Sequence, residues 1–247
     1  MPAEDAATVP PYTVFASLYD RVMADIEYDE WAEFILTEAT ARGWAGGRIL
    51  DLACGTGNSA APLLKRGYGV TGVDASPHML EQARQKFPDG EWLQGSFTDF
   101  SAGRRFGLVQ CVFDALNNLL DPRDFSAAAR RVREHLEPGG VFIFDVNTSY
   151  GLENLWDGEI IQEWLGSDWY GWKHSWDGDT RIATVEAAFL TGGRTYLEVH
   201  RERAYDQEEL THLLGEAGFV RVDLIQFPWG DRAEPDAPRL WVAAVRD

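Results

Sequence analysis

The stretch Ile49-Leu-Asp-Leu-Ala-Cys-Gly-Thr-Gly57 decides the fold of this chain. An apolar run passes directly into a short loop with Gly55 and Gly57, and a later run, Gly69-Val-Thr-Gly-Val-Asp74, ends in an acid. Glycine has no Cβ, so such a loop lets a ligand approach the backbone closely. An acid at the end of the neighbouring strand can accept hydrogen bonds from the hydroxyl groups of a ribose. The spacing therefore predicts a strand–helix–strand unit that binds a nucleoside cofactor.

This loop differs from the dinucleotide fingerprint G-x-G-x-x-G at one informative position. Ala60 stands three residues after Gly57, where the fingerprint tolerates alanine, so the loop spacing alone leaves an NAD-dependent oxidoreductase open. Asp51, however, places a negative charge at the strand end, which would repel a pyrophosphate and attract an ammonium group. The acid favours a cofactor that carries an ammonium group.

Four motifs in chain order resemble those of the class I S-adenosylmethionine-dependent methyltransferases, and in particular the amino-sugar N-methyltransferase-like group. The resemblance runs from about Phe15 to the C-terminus and is specific for the superfamily, but it says little about the substrate. It implies S-adenosyl-L-methionine as cofactor and methyl transfer to a small polar acceptor, with an amine preferred over a hydroxyl or carboxylate. A non-catalytic protein that kept the fold is the other alternative. The motifs are Asp51-Leu-Ala-Cys-Gly-Thr-Gly57, Val73-Asp74-Ala-Ser76 with Met79-Leu80, Phe106-Gly-Leu-Val-Gln-Cys-Val-Phe-Asp114-Ala-Leu-Asn117, and Pro138-Gly-Gly140 with Phe142-Ile-Phe-Asp145.

The resemblance assigns cofactor contacts along the first half of the chain. Asp51 and its loop would hold the methionine end and Asp74 the ribose, while Met79 either covers the adenine or packs in the core. The family commonly has an acid after the glycine of the third strand, but Ser96 stands there, so either Ser96 or the backbone of Phe97 would contact the adenine. The predicted cofactor-binding residues are Tyr12, Trp31, Asp51, Ala53, Gly55, Gly57, Asp74, Ala75, Met79, Ser96, Phe97 and Phe113.

The predicted catalytic residues are Asp114, Asn117 and His200. Asp114 and Asn117 follow the fourth strand, where an open α/β sheet places its ligand crevice. Related amino-sugar enzymes have a histidine where this chain has Asn118, so that role is vacant or reassigned. His200 would share a strand face with Glu198 and Glu202 and could take a proton near neutral pH. A turn-capping role for Asp114 and a structural role for His200 are the alternatives.

The alternation of strand and helix patterns predicts an α/β fold with a doubly wound parallel sheet and helices on both faces. The resemblance implies that this is the mostly parallel, seven-stranded, Rossmann-like sheet of the methyltransferases. Residues 1–149 and 205–247 form this predicted domain, with an N-terminal helical cap, whereas 150–204 read as an antiparallel β insertion that acts as a substrate lid. The insertion carries five tryptophans, either as its own core or as an aromatic lid. Residues 1–11 are rich in Ala and Pro and are expected to be frayed. The predicted strands are 48–53, 69–74, 91–95, 108–113, 141–146, 220–226 and 240–245.

The composition indicates which classes of partner this chain is expected to bind. The 247 residues carry a formal net charge of −18, which argues against nucleic acid and anionic membrane as partners. Cys54 and Cys111 form no metal motif, and no signal peptide or membrane span is apparent, so a cytoplasmic location is expected. The expected partner is a small-molecule substrate, and the chain is expected to act as a monomer or a homodimer.

Overall fold

The computed structural model describes residues 6–247, which form two β-sheets and the helices around them. No helix in that range is long and apolar enough to cross a membrane. The strands are β1 (Ala7–Thr8), β2 (Ile49–Leu52), β3 (Val70–Asp74), β4 (Glu91–Gln94), β5 (Phe106–Cys111), β6 (Leu136–Asn147), β7 (Ile160–Leu165), β8 (Asp168–Asp177), β9 (Ile182–Thr191), β10 (Arg194–Arg203), β11 (Phe219–Ile225) and β12 (Arg239–Arg246). The α-helices are α1 (Phe15–Val22), α2 (Tyr28–Ala41), α3 (Ala61–Lys65), α4 (Pro77–Lys86), α5 (Pro122–His135), α6 (Ser149–Gly151) and α7 (Gln207–Glu216), with a 3₁₀ turn at Ala115–Asn118 and a π-turn at Leu152–Trp156.

The larger sheet has seven strands in the order β11-β12-β6-β5-β2-β3-β4. Strands β4, β3, β2, β5 and β6 run parallel, whereas β12 runs antiparallel to both of its neighbours. Helices α5 and α7 pack on one face and α2, α3 and α4 on the other, each burying an apolar stripe. The predicted doubly wound seven-stranded sheet is confirmed.

The order of the strands reverses between β2 and β5, which are direct neighbours in the sheet. Every residue of both strands is buried, in keeping with strands covered by helices on both faces. In open α/β sheets a ligand crevice opens at the carboxyl ends of the strands on either side of such a reversal. The topology therefore brings the glycine loop after β2 next to the Phe113–Asp114 loop after β5.

The smaller sheet has the order β1-β10-β9-β8-β7, and its strands β7–β10 pair antiparallel as predicted for the insertion. Helix α1 packs on it, with Phe15 and Leu18 against Tyr170 and Phe189. The N-terminal segment thereby bridges the insertion and the larger domain.

The expectation of a frayed N-terminus is wrong where the structure describes it, while residues 1–5 lie outside the described part. Strand β1 pairs in parallel with β10, Ala7 opposite Tyr196. The free edge of β10 offers unpaired backbone N–H and C=O groups, and a passing segment can satisfy them whatever its side chains are. A two-residue strand held in this way has no sequence periodicity by which to predict it.

Candidate active site

A cavity of about 800 Å³ lies between the carboxyl ends of the central strands, the insertion sheet and the N-terminal segment. Its wall draws on the glycine loop, the start of α4, the loop after β5 and strands β8, β9 and β10. Ten of the fifteen site residues predicted from the sequence line it, so they converge in space. They are Tyr12, Ala53, Gly55, Asp74, Ala75, Met79, Phe97, Phe113, Asp114 and His200.

Backbone strain is concentrated at this cavity. Five non-glycine residues in the described chain have a positive φ, and four of them line the cavity: Tyr12 (58°), Ala53 (59°), Phe113 (66°) and Asp114 (49°). The left-handed conformation is unfavourable for residues with a Cβ, and it persists where surrounding contacts enforce it, most often at ligand sites. The strain marks the cavity as the functional site independently of any motif.

The end of β3 places a carboxyl group beside the glycine loop. The backbone N–H groups of Gly55 and Ser76 donate to separate oxygens of Asp74, each at 2.8 Å. Burial raises the pKa of Asp74 above its ordinary value, although these N–H donors partly oppose the rise. Each carboxylate oxygen has two acceptor positions, so each oxygen of Asp74 retains one for a ligand. This is the arrangement that two adjacent ribose hydroxyls require.

Asp51 lies under the glycine loop and outside the cavity wall. It is fully buried, and its oxygens accept the Ser59 hydroxyl at 2.7 Å and the Gln110 amide at 3.0 Å. Burial raises the pKa of Asp51 from 3.8 to about 6, although both donors lower it. Asp51 is therefore placed to act on a ligand through its charge and through the loop it supports, without lining the cavity.

Gly57 and Trp31 also lie outside the cavity wall. A Cβ on Gly57 would lie 3.0 Å from the ring of Trp92, and its φ is +83°, so tight packing explains this glycine. Trp31 packs behind the wall, with its ring centroid 5.5 Å from that of Phe113 and 5.6 Å from that of Trp241. Trp31, predicted to contact the cofactor, thus lies behind the ring of Phe113, which lines the cavity.

The hydroxyl of Ser96 is hydrogen-bonded within its own loop, to Asp99. Asp99 accepts the backbone N–H of Ser96 at 2.8 Å and its hydroxyl at 2.6 Å, because the loop folds back. Ser96 is absent from the cavity wall, whereas Phe97 lines it. Of the two alternatives for the adenine contact, Phe97 is the one that faces the cavity, and the contact itself stays a prediction.

Beyond β5, Asp114 belongs to an ion-pair network around Arg239. The guanidinium donates to Asp114 at 3.0 Å and to Asp145 at 2.6 Å. The fully buried Asp145 also accepts the backbone N–H groups of Phe113 at 2.7 Å and Asp114 at 3.1 Å, which holds the left-handed turn. Burial raises the pKa of Asp145, and Arg239 opposes that rise. The network fixes the Asp114 carboxylate in the cavity wall.

Glu202 on β10 brings a second carboxyl group to the wall beside Asp114. The amide nitrogen of Asn147 donates to both, at 2.9 Å to Asp114 and 3.2 Å to Glu202. Withdrawal from water raises the pKa of Glu202 well above its ordinary value, and the charge of Asp114 adds to that rise. Three carboxyl groups, those of Asp114, Asp145 and Glu202, therefore surround the guanidinium of Arg239 in this part of the site.

Sequence reasoning did not identify Asp145, Glu202 or Arg239 as site residues. They come from three separate elements, β6, β10 and β12, which only the fold brings together. Glu202 had a weak signal, since it stands two residues after His200 and so shares its strand face. Arg239 lies far along the chain from the recognised motifs, and no local pattern marks it.

Asn117, which was predicted to be catalytic, does not line the cavity, and its side chain makes hydrogen bonds to neighbouring elements instead. It is fully buried, and its amide nitrogen donates to the carbonyl groups of Asn147 at 2.9 Å and Arg203 at 2.8 Å. Its amide oxygen accepts the backbone N–H of Asn147 at 3.0 Å. The side chain thereby ties the turn after β5 to β6 and β10, while its neighbour Asn118 lines the cavity.

His200 lines the cavity and pairs with a buried acid on its own strand. Its Nε2 lies 3.0 Å from the Oε2 atom of Glu198, and its ring meets the edge of Tyr12 at a centroid distance of 4.8 Å. Withdrawal from water raises the pKa of Tyr12, as do the nearby carboxylates of Glu202 and Asp114. The histidine thus lies between the buried acid Glu198 and the part of the cavity wall that carries Asp114 and Glu202.

The insertion contributes a largely apolar wall without filling the crevice. Of its five tryptophans, Trp156 and Trp172 line the cavity, whereas Trp164 on the edge strand is 62% exposed. The ring of Trp156 lies 4.8 Å from that of His174, which also lines the cavity. Space therefore remains beside Asp114, which is the condition for an enzyme rather than a protein that only kept the fold.

Comparison with known proteins gives matches to methyltransferases. A family model described as a methyltransferase domain matches residues 49–140. A Bacillus subtilis protein named as a methyltransferase, YqeM, is 30% identical over 217 residues, which cover 84% of this chain and 86% of that protein. The dTDP-3-amino-3,6-dideoxy-alpha-D-glucopyranose N,N-dimethyltransferase of Streptomyces fradiae is 30% identical over 216 residues, 85% of this chain and 80% of that protein.

Among solved structures, an S-adenosylmethionine-dependent methyltransferase from Clostridium acetobutylicum is similar over nearly the whole chain. The two share 26% identity with a TM-score of 0.82, and the match covers 95% of this chain and 98% of the other. A match that covers 95% of this chain must include most of the insertion over residues 150–204.

Proposed function

Because this chain belongs to the S-adenosylmethionine-dependent methyltransferases, we propose that it transfers the methyl group to an amine nitrogen of a small polar acceptor. Family membership overturns the alternative of an NAD-dependent oxidoreductase. The choice of an amine rests on one observation, the excess of carboxyl groups around Arg239 at the wall of the cavity.

The residues near the glycine loop fit the cofactor by the chemistry of their free acceptors. Asp74 retains an acceptor position on each oxygen, which suits the two ribose hydroxyls. The charge of Asp51 beneath the loop suits the ammonium group of the methionine, and Met79 and Phe97 offer apolar surface for the adenine. When bound, S-adenosylmethionine supplies a methyl group on a sulfonium, which is already an activated leaving group. The protein then has to align the acceptor and exclude water.

The acceptor side carries more negative than positive groups. Asp114 and Glu202 line the cavity, and Asp145 lies directly behind them, against the guanidinium of Arg239. Even with a proton on Glu202, as its raised pKa favours, the carboxyl groups of Asp114 and Asp145 outnumber the single guanidinium, which gives the network an excess of negative charge. In a partly desolvated site, such a charge favours an ammonium group and disfavours a carboxylate ligand. This supports an amine over a carboxylate acceptor.

The insertion over residues 150–204 would act as the substrate lid. Trp156 and Trp172 present broad rings to the cavity, and such rings bind partly apolar ligands at low cost in conformational entropy. The Streptomyces fradiae relative is named for an amino-sugar substrate, which has both a polar amine and a less polar ring face. An amino sugar is therefore the first acceptor to test.

The test uses acceptors in matched pairs that differ only in the reacting group. The protein is incubated with S-adenosylmethionine and dTDP-3-amino-3,6-dideoxyglucose or its 3-hydroxy counterpart, followed by simple amines and the corresponding alcohols and carboxylates. Formation of S-adenosylhomocysteine is expected with amines only. Turnover of an alcohol or carboxylate in preference to its paired amine would refute the proposal. The proposal is also refuted if the protein binds S-adenosylhomocysteine but methylates none of the amines.

A further inference from the structure

Strand β10 turns three titratable side chains, those of Glu198, His200 and Glu202, toward the inside of the molecule. Glu198 and His200 are buried while Val199 between them is 39% exposed, and Glu202 continues the inward face into the cavity wall. A strand that covered an ordinary core would have the opposite pattern, with apolar residues inward. Three titratable residues at alternate positions therefore need an explanation beyond packing.

Glu198 is the most fully engaged of the three. One of its oxygens accepts the backbone N–H groups of Thr13 at 3.1 Å, Val14 at 2.7 Å and Phe15 at 3.0 Å. The other accepts the Tyr12 N–H at 2.8 Å and lies 3.0 Å from the Nε2 atom of His200. A single side chain, fully withdrawn from solvent, thus holds both the start of α1 and the imidazole.

These donors keep Glu198 ionised. Burial alone would raise its pKa, but the hydrogen bonds from His200 and from the backbone N–H groups outweigh burial and lower it. A carboxylate has only acceptor positions, so Nε2 must carry a hydrogen to bond with it. This leaves Nδ1 with the lone pair in the neutral ring. No hydrogen bond within residues 6–247 involves Nδ1, and the ring lines the cavity.

We propose that His200, through Nδ1, is the group that takes a proton from the acceptor's ammonium group, and that Glu198 is the positioning residue that sets this tautomer. An N–H bond of the ammonium breaks, its electron pair stays on the nitrogen, and an Nδ1–H bond forms. The freed lone pair is then the nucleophile for methyl transfer. The inference rests on the proposed function, because only an amine acceptor arrives carrying such a proton.

The N-terminal segment is held by the same carboxylate that positions His200. Because Glu198 binds the N–H groups of Tyr12 to Phe15, the segment that closes the cavity and the histidine's tautomer depend on the same carboxylate. An open segment would leave these four N–H donors without their carboxylate partner and would expose Glu198 to water.

The charged and titratable groups that face His200 come from several elements. They are Glu198 and Glu202 on β10, Tyr12 before α1, Asp114 after β5 and His174 on β8, two strands away across Val185 on the same face. Glu198 is the one that hydrogen-bonds the ring.

The tautomer of the His200 ring can be measured in the absence of a methyl acceptor. The ¹⁵N shifts of the full chain with labelled histidine distinguish Nδ1–H from Nε2–H rings, and His200→Gln assigns the signal among the five histidines. We expect the Nε2–H form for His200 in the neutral ring. An Nδ1–H form would overturn the inference outright, whatever the outcome for the proposed function.

Glu198→Gln tests the positioning role. The amide can turn its NH₂ toward Nε2, so we expect the His200 tautomer to change to Nδ1–H. We also expect amide hydrogen exchange at Tyr12–Phe15 to accelerate about tenfold or more, as for loss of charged hydrogen-bond partners. Glu186→Gln is the matched control, because Glu186 is exposed on the outward face of β9, and neither readout should change.

Kinetics with an amine acceptor separate the base from a merely structural residue. For His200→Gln we expect kcat to fall about 100-fold or more while the KM for S-adenosylmethionine changes little. Raising the pH should partly restore the rate, because the amine then arrives unprotonated. If Glu198→Gln keeps the wild-type tautomer, or if His200→Gln retains the wild-type kcat and pH profile, the inference fails even though methyl transfer to amines stands.

Discussion

Replacement of Asp74 by alanine tests the donor half of the site most sharply. The wild-type carboxylate accepts the N–H groups of Gly55 and Ser76 at 2.8 Å and keeps one free acceptor position on each oxygen. Asp74→Ala would remove both proposed ribose contacts and leave two N–H donors without their partner. A hydrogen bond to a charged group contributes about 1.5–3 kcal/mol, of which water recovers part in the variant. We therefore expect S-adenosylhomocysteine binding to weaken by about 1–3 kcal/mol, or roughly 5- to 150-fold.

Calorimetric titration of S-adenosylhomocysteine into the folded variant measures this loss. Asp89→Ala is the matched control, because it removes the same charge from the exposed turn before β4. Circular dichroism and thermal unfolding without ligand separate loss of the fold from loss of the contact. Wild-type affinity in a folded Asp74→Ala protein would refute the assignment of Asp74 to the ribose. An equal loss in Asp89→Ala would point to net charge instead.

Three further perturbations follow from the same geometry. Because the folded-state pKa of Asp51, about 6, lies above its ordinary 3.8, the folded chain binds more protons between these values, and its unfolding free energy falls as the pH rises through that window. Asp51→Asn should therefore raise the unfolding free energy of the ligand-free protein at pH 7 by up to about 3 kcal/mol. Below about pH 4 the wild type and the variant should be equally stable, and denaturant titrations at both pH values measure the difference. Asp114→Asn places asparagine, which tolerates the left-handed conformation, in this turn, so the affinity for S-adenosylhomocysteine should be unchanged. We expect kcat with an amine acceptor to fall about tenfold or more. An unchanged kcat would mean that Asp114 only caps the turn. Asn117→Ala should lower the unfolding free energy by about 1–3 kcal/mol through its unpaired buried partners, and a neutral effect in urea unfolding would contradict its structural role.

The donor half of the site was predictable because its residues lie close together in the chain. Gly55 and Asp74 belong to one strand–helix–strand unit, and local spacing is enough to place them side by side. Spacing could not show that Ser96 would be engaged by Asp99, since that depends on how the loop folds back. It also could not show that Trp31 stacks behind Phe113, because helical aromatics look alike whether they face a ligand or the core.

The acceptor half depends on long-range contacts that no local pattern reports. Arg239 and Asp114 are 125 residues apart in sequence, and Glu198 and Tyr12 are 186 apart. The antiparallel return of β12 places Arg239 opposite Asn147 at the carboxyl end of β6, and the insertion brings Glu198 to the N-terminus. The strained turn at Asp114 is likewise enforced by the carboxylate of Asp145, a residue that sequence motifs marked only as the end of a strand.

The central claim is that this methyltransferase moves its methyl group to nitrogen, and the most direct measurement follows the methyl carbon itself. S-adenosylmethionine labelled with ¹³C in the methyl group is incubated with the protein and an amino-sugar acceptor, and the product is observed by ¹³C–¹H correlation NMR. Methyl transfer to nitrogen gives a new N-methyl signal that grows together with S-adenosylhomocysteine, and we expect it to grow about tenfold or more slowly with Asp114→Asn. A label that appears on oxygen or carbon would contradict the claim.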